Sequence, residues 1–517
     1  MPEPAVPQRD TSPRSIRWPR AAVAGLLAAA MALGVGHLVA VLIDPMSSPF
    51  FVLGATMVDH TPHQLKDAAI RRFGSHDKQA LFTAMAAVMA LGASIVAVLE
   101  RRRPLGSALL VALGGVTVAA ALQRPTATPW FAVPTVAGVV SGIVVLRILV
   151  TGTPIHRSGS AVGVSRRRFL ISAASVGALA AGAGGAGHIL ATRLRDIGVD
   201  RARFLLPAAT PASPVSPQAQ PRIDGLSSFI TPDPRFYRVD TALQLPALSS
   251  ADWRLRIHGM VDRTVELDFD RLRERSAVER VVTLTCVSNE VGGDLVGTAR
   301  WLGYPLAELL AEAGPHPDAD MLLSRSIDGF TAGTPLSAVT DGRDALLAVG
   351  MNGEPLPIEH GYPARLIVPG LYGYVSATKW VVDLEVTRFD RSSAYWTDRG
   401  WSARAPIKTA SRIDVPRAFA TVAAGDVLVA GVAWAQHRGI AQVEVQVDDG
   451  PWQAAELAAE YSIDTWRQWT WRWRAVTGTH TLRVRATDGT GAVQDQARTT
   501  PFPNGATGRH NRVVTVG

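Results

Sequence analysis

The stretch Thr283-Leu284-Thr285-Cys286-Val287-Ser288-Asn289-Glu290-Val291-Gly292-Gly293-Asp294 carries the one cysteine of a 517-residue chain. Residues 281–284 are apolar and β-branched, which predicts a short strand. Cys286 follows it and opens a glycine-containing loop, and strand ends and such loops are where sites tend to be built. A single cysteine forms no internal disulfide. Three readings of the thiol stay open. It is inert packing, since free cysteines are often buried, or a nucleophile, or a metal ligand, because a soft thiolate suits a heavy transition metal.

Outward from this stretch, residues 222–409 hold turn-punctuated apolar segments of mixed type. Residues 305–313 read as a helix; 346–349, 364–368 and 380–386 read as strands. The region is α+β. From 410 to 517 the pattern becomes all-β. Segments 427–432, 440–447, 468–473 and 480–486 alternate apolar and polar residues. Asp448-Asp449-Gly450 and Asp488-Gly489 punctuate them. This spacing predicts a β-sandwich. Trp466, Trp469, Trp471 and Trp473 recur near strand period and read as a packed sandwich face. Residues 191–221 form a Pro/Ala-rich linker, and within it PAATPASPVSPQAQP (207–221) reads as a semi-extended spacer.

The charge divides by position. The chain holds 52 Lys/Arg and 44 Asp/Glu, net +8. Residues 1–200 hold 19 basic and 9 acidic side chains, so the whole excess lies there. The long apolar runs lie there too, at about 21–43, 79–99, 106–122, 131–150 and 169–190. Each is near the roughly 20 residues a membrane-spanning helix needs. Basic clusters between apolar segments fit membrane topology better than a nucleic-acid face. Arg9, Arg14, Arg17 and Arg20 precede the first span, within a cytoplasmic tail of residues 1–20. Arg101, Arg102 and Arg103 follow the second span, and Arg157, Arg166, Arg167 and Arg168 precede the fifth. These loops share one side, the cytoplasm. Everything after about residue 191 then lies outside. In the loop 44–78, Ile70-Arg71-Arg72-Phe73 looks amphipathic and suits the lipid surface. Ser165-Arg166-Arg167-Arg168-Phe169-Leu170 has the twin-arginine export pattern before a weakly apolar helix. That route carries folded proteins, so it predicts a cofactor protein downstream, with the fifth helix kept as anchor. The plainer alternative is a basic loop obeying the positive-inside rule.

The segment from Thr283 to Asn289, followed by Trp301-Leu302-Gly303-Tyr304-Pro305-Leu306, resembles the sulfite oxidase family of molybdenum enzymes. Asn352-Gly353-Glu354-Pro355-Leu356-Pro357 and His360-Gly361-Tyr362-Pro363-Ala364-Arg365-Leu366-Ile367-Val368-Pro369-Gly370 agree. So does Tyr372-Gly373-Tyr374 up to Lys379-Trp380. The C-terminal segments from Gly431 to Trp434 and from Val443 to Gly450 resemble that family's immunoglobulin-like dimerisation domain. The resemblance covers about 225–517 and leaves out the membrane part. After the five transmembrane helices read from hydropathy, it implies a molybdopterin-binding α+β domain (222–409) and an immunoglobulin-like β-sandwich (410–517), and a homodimer. It implies that Cys286 binds molybdenum, with a molybdopterin supplying dithiolene sulfurs. His360, Arg365, Ser376 and Lys379 match the strip that holds the pterin and its phosphate, where Arg and Lys suit a buried dianion. In Phe236-Tyr237-Arg238, Tyr237 matches a cofactor-binding position and Arg238 the residue that attracts an oxyanion substrate. Asp328 matches a hydrogen-bond partner of the pterin ring.

Two departures bear on the reaction. Family members carry a tyrosine near the metal, and the matching position here is Trp401. The arginines that normally follow the loop asparagine are Glu290 and Val291. Sulfite oxidation by oxygen-atom transfer and the reverse chemistry, reduction of sulfoxides or N-oxides, therefore both remain open. The chain lacks a Cys-x-x-Cys-His haem attachment. The helices suit an electron path to the quinone pool, with a separate cytochrome as the alternative partner. His37 and His188, near the outer ends of the first and fifth helices, would suit a haem b or a quinone, although lone helical histidines are commonly packing residues. A non-catalytic anchored binding module and a transporter with an ectodomain are the competing classes, and the scarcity of intramembrane charge disfavours the transporter.

Overall fold

The computed structural model describes residues 18–61, 65, 77–100, 104–124, 127–151, 166–194 and 197–517. These form two units, one before and one after residue 196.

The first unit contains helices α1 (Trp18–Ile43), α2 (Pro49–His60), α3 (Asp77–Glu100), α4 (Leu105–Leu122), α5 (Ala132–Thr151) and α6 (Arg166–Leu194). All but α2 are long and apolar enough to cross a membrane. Helix α1 packs against α3, α5 and α6. Small residues allow the backbones to meet, as expected where lipid leaves packing to decide helix association. A Cβ on Gly25 would lie 2.0 Å from the Ala93 carbonyl oxygen, and one on Gly138 2.4 Å from that of Ala32. Val88, Leu91 and Val116 lie outward and exposed. The one buried charge set described here joins three helices. Glu100 accepts from the Ser107 N–H and hydroxyl, both at 2.7 Å, and pairs with Arg147 at 3.6 Å. The His37 ring lies 6.3 Å from that of Phe51. Several expectations fall outside the described residues: the amphipathic stretch 70–73, Ser165, the basic residues 9, 14, 17, 101–103 and 157, and the side chains of Arg166, Arg168 and His188.

The second unit opens with helix α7 (Ile197–Arg203) and strand β1 (Ala209–Thr210). Strands β2 (Leu255–Gly259) and β3 (Val265–Leu267) follow, then helix α8 (Phe269–Arg273). Next come β4 (Ala277–Thr285), β5 (Val296–Pro305), helix α9 (Leu306–Ala313), β6 (Met321–Ser326) and β7 (Thr331–Pro335). After these come β8 (Leu346–Met351), β9 (Glu354–Pro355), β10 (Arg365–Ile367) and β11 (Val381–Thr387). One sheet runs β1-β4-β5-β8-β10 with β9 on β8; the other runs β3-β2-β11-β6-β7. Both are mixed: β1 is parallel to β4 and β2 to β11. A common core holds them, and α9 joins it through Leu306, Leu309, Leu310 and Ala313, a helical apolar stripe.

The expected spacer is docked against this domain. Ile197, Phe204 and Ala219 are buried. Arg201 donates to the Pro355 carbonyl at 2.7 Å, Asp200 accepts from the Tyr362 hydroxyl at 2.5 Å, and Tyr461 donates to Ser213 at 2.8 Å. A Pro-rich extended segment makes no internal ladder, so its backbone groups are free to bond neighbouring elements.

The C-terminal region is β-rich. One sheet comprises β12 (Ala410–Val415), β14 (Gly425–Trp434), β18 (Arg467–Ala475) and β17 (Glu456–Leu457) in that order. The other runs β13 (Thr421–Val422), β20 (His510–Val516), β19 (Gly478–Asp488), β15 (Ile440–Val447) and β16 (Gln453–Ala454). Ile413, Val429 and Trp469 from the first meet Val443, Val484 and Val514 from the second in one core. Trp469 and Trp473 point inward, as the tryptophan pattern predicts.

Candidate active site

Cys286 lies at the end of β4, where the chain leaves the sheet. Its N–H donates to the Leu295 carbonyl at 2.9 Å, which closes the loop before β5. Asn289 pins the interior: its side-chain oxygen accepts from the Leu295 N–H at 2.9 Å. The thiol is buried and free. Burial pushes its pKa up, while the Ser288 backbone N–H and hydroxyl and the Lys379 charge pull it back.

The cations come from the segment after β9. Gly361 has φ +109, and a Cβ there would stand 3.1 Å from the Cβ atoms of both Arg365 and Lys379. Glycine alone permits this turn and this approach. Arg365 is buried, with its guanidinium 5.0 Å from the centre of the Trp301 ring. It donates to the carbonyls of His360 (3.1 Å) and Ala377 (3.4 Å). Its Nε has no partner among the described residues. Burial lowers its pKa to about 10, which leaves it charged at neutral pH. Lys379 donates to Asp240 at 2.7 Å and to the Glu359 carbonyl at 3.1 Å. Burial brings it down to about 8 despite the Asp240 carboxylate. His360 packs edge-on against Phe236, with ring centres 5.6 Å apart. Burial and the neighbouring Arg365 and Lys379 charges hold it near 4, so its ring is neutral.

The remaining sequence-predicted residues divide. Tyr237 joins the group: burial raises its phenol pKa, and it feels the charges of Cys286 and Arg365. Asp328 joins it too, raised by burial and influenced by Asp240 and Lys379. Arg238 is 39% exposed, with Nε on Asp240 at 2.8 Å. Ser376 is placed differently. It is fully buried, and its hydroxyl donates to the carbonyls of Leu371 and Tyr372. That donor closes a local turn, and the backbone beside it, at Ala377, is what meets Arg365. Trp401 packs against Tyr374, Trp396 and Phe502. The phenols that feel the Cys286 charge are Tyr237 and Tyr372.

Sequence reading missed two groups. One is Asp240, two residues beyond Arg238; its place in the same short motif was the available signal. The other comes from the C-terminal sheets. Arg412 donates to the Gly293 carbonyl at 2.6 Å, and Gln436 donates to Thr283 and Thr285. A Cβ on Gly292, φ +79, would stand 2.1 Å from the His510 ring. The cysteine loop is thus shaped by side chains from 119 or more residues away, and no local pattern carries that signal.

This donor set fits a soft metal carried by a phosphorylated organic group. There is one buried thiol, two buried cations, and a buried guanidinium N–H that lacks an acceptor among the described residues. Among the described residues no three His, Cys, Asp or Glu side chains gather as a metal shell, so the group would bring its other ligands.

Comparison with known proteins agrees. The family described as "Oxidoreductase molybdopterin binding domain" matches residues 242–396. The mitochondrial sulfite oxidase of Rattus norvegicus is 31% identical over 289 residues, 47% of this chain and 52% of that protein. The uncharacterized oxidoreductase YuiH of Bacillus subtilis (strain 168) is 30% identical over 152 residues, 29% of this chain and 73% of that protein. The chain belongs to the sulfite oxidase family of molybdopterin-binding oxidoreductases. It spans about half the length of the sulfite oxidases it matches. Among solved structures, the sulfane dehydrogenase SoxCD of Paracoccus pantotrophus is similar at 24% identity and TM-score 0.49, over 56% of this chain and 84% of that chain. The family match spans Cys286, Asp328, His360, Arg365 and Lys379, whereas the five apolar helices lie outside it.

Proposed function

We propose that the protein is a membrane-anchored, extracytoplasmic molybdenum-cofactor oxidoreductase that catalyses oxygen-atom transfer, with sulfite-type oxidation as its leading direction. The observation that carries this is the buried free Cys286 beside a buried Arg365 whose Nε lacks an acceptor. Cys286 would hold molybdenum through its thiolate; Arg365, Lys379 and His360 would hold the pterin and its phosphate, with Tyr237, Asp328 and Ser376 around them. Bound there, the group supplies exchange of an oxygen atom and an electron pair with the substrate. The protein's own part is binding and orientation. Phe236 and Trp301, packed edge to face at 5.6 Å, keep water from the cation strip. Arg238 presents its guanidinium to the arriving oxygen atoms.

The five apolar helices and the basic loops between them support anchoring, with the site on the far side of the membrane from the N-terminus. The twin-arginine segment supports export of the folded unit, and the two-sheet C-terminal region an immunoglobulin-like dimerisation domain. Electrons pass to the quinone pool or to a separate cytochrome. A haem b held by His37 and His188 is one such route, and a Soret band in the purified protein tests it.

A second reading, reduction of a sulfoxide or N-oxide, is favoured by the neutralisation of Arg238 and Lys379 by Asp240. The deciding experiment is molybdenum and pterin quantification on natively purified protein, with turnover of sulfite, a sulfoxide and an N-oxide. Absence of both metal and pterin sinks the proposal and leaves a non-catalytic binding module.

A further inference from the structure

Asp240 sits where the site's charges meet. Its side chain is only 4% exposed, and it accepts from Arg238 Nε at 2.8 Å and from Lys379 Nζ at 2.7 Å. Of the three cations, Arg238 is the one open to solvent, and only its Nε is engaged by Asp240. An anion arriving from solvent meets the Arg238 Nη groups before it meets Lys379. Lys379 lies behind them, 9% exposed. Charges at contact distance near a protein surface interact several times more strongly than in water. One buried carboxylate between two cations therefore cancels the field of one of them. The trio presents a single net positive charge.

The other charged groups do not restore the missing one. Arg365 spends two of its donors on backbone carbonyls. Asp328 adds only negative character, and its neighbourhood with Asp240 raises its pKa. Glu290 and Val291 stand in the cysteine loop where further cations would strengthen the field. The site is built for weaker anion attraction than its count of basic residues suggests.

We propose that Asp240 sets the charge selectivity of the site: by neutralising one of the two cations it bridges, it admits neutral oxides and monoanions and disfavours dianions. This deepens the oxygen-transfer reading and rests on it. Asp240 acts through Arg238 and Lys379, so it is a positioning residue. It fixes the Arg238 guanidinium by its Nε and leaves the Nη edge to the substrate. Without the carboxylate, both cations act in full on whatever enters.

The test uses the purified full chain with its cofactor and calorimetric binding of two probe anions, sulfate and methanesulfonate. In the native protein methanesulfonate, the monoanion, binds at least as tightly as sulfate, the dianion. Sulfate binding tighter by about tenfold or more overturns the proposal without recourse to any variant. Asp240→Asn keeps the shape and removes the charge. It gains about tenfold in sulfate affinity, a gain that shrinks in high salt. The KM for dimethyl sulfoxide shifts less than about twofold, and Asp240→Glu restores the native preference. Unchanged sulfate affinity in Asp240→Asn at full pterin content also overturns it, as does an Asp240→Glu protein that binds sulfate as tightly as Asp240→Asn. A protein that turns over neither sulfite nor sulfoxide removes the oxygen-transfer reading, while the two-anion comparison still decides the charge selectivity.

Discussion

Helix α1 is held by close backbone approaches at small residues: Gly25 against Ala93, Ala32 against Gly138. Cys286 is held by a far more particular set. Its loop takes bonds from Leu295 and Arg412 and packs under His510, and its charged surroundings come from residues 237, 365 and 379. The helical unit spreads its stability over many small contacts within one local environment. The site concentrates its function in a few contacts between distant segments. Substitutions should therefore be tolerated at the outward helix positions such as Val88, Leu91 and Val116 and punished around the cysteine loop, including at positions in the C-terminal sheets that never touch a substrate.

The sharpest way to break this contrast is Cys286→Ser. Turnover should fall by more than the 10- to 100-fold typical of losing a supporting residue around a metal, with metal content measured alongside; full activity would remove Cys286 from the site. Next is Arg412→Ala, which strips Asp414, 9% exposed, of its 2.7 Å partner and frees the Gly293 carbonyl. A buried charge left unpaired costs about 3 kcal/mol, so the melting temperature should drop and turnover with it. Gly292→Ala adds a methyl at φ +79 against His510. A cost of about 2 kcal/mol is expected, read as lower denaturant midpoint and weaker cofactor retention.

His510 gives a smaller, pH-dependent effect. Burial and the Arg512 and Arg412 charges hold it at about 4, below the ordinary 6.5. The unfolded chain therefore binds the proton first as pH falls. Stability from this group is full above about 6.5 and is lost progressively down to about 4. In urea melts across that window, His510→Gln should flatten the dependence. The smallest effect belongs to the helical unit. Glu100→Gln keeps one acceptor oxygen for Ser107, turns the other contact into an N–H that the Ser107 hydroxyl can accept, and removes the 3.6 Å charge pairing with Arg147. Turnover should stay within about twofold. A large loss would show that the helices share in the chemistry and would undo the contrast.

The legibility of the sequence follows the same division. The apolar helices read directly from hydropathy, and the strands near 281–284, 440–447 and 480–486 from alternation, because both are local periodicities. The linker at 191–221 shows what composition leaves out: its Pro/Ala-rich character predicts a spacer, while the partners that Arg201 and Asp200 find at Pro355 and Tyr362 are invisible in composition. Ser376 sat in the right stretch, but its hydroxyl turned inward to its own backbone. Trp401 stood for a missing tyrosine, while Tyr237 and Tyr372 came to Cys286 from elsewhere in the chain.

By itself the sequence determined the parts: five apolar helices, a lone thiol at a strand end, and a set of basic residues in the order that the family shares. Residue chemistry and short periods suffice for these, since each is written within a few neighbouring positions. Only the tertiary structure decided how much charge the site presents and what holds its cysteine loop. Asp240 lies 139 residues from Lys379 and Arg412 lies 119 from Gly293. Partnerships across such distances are made by the folding of the sheets against one another, and burial then makes each of those charges count.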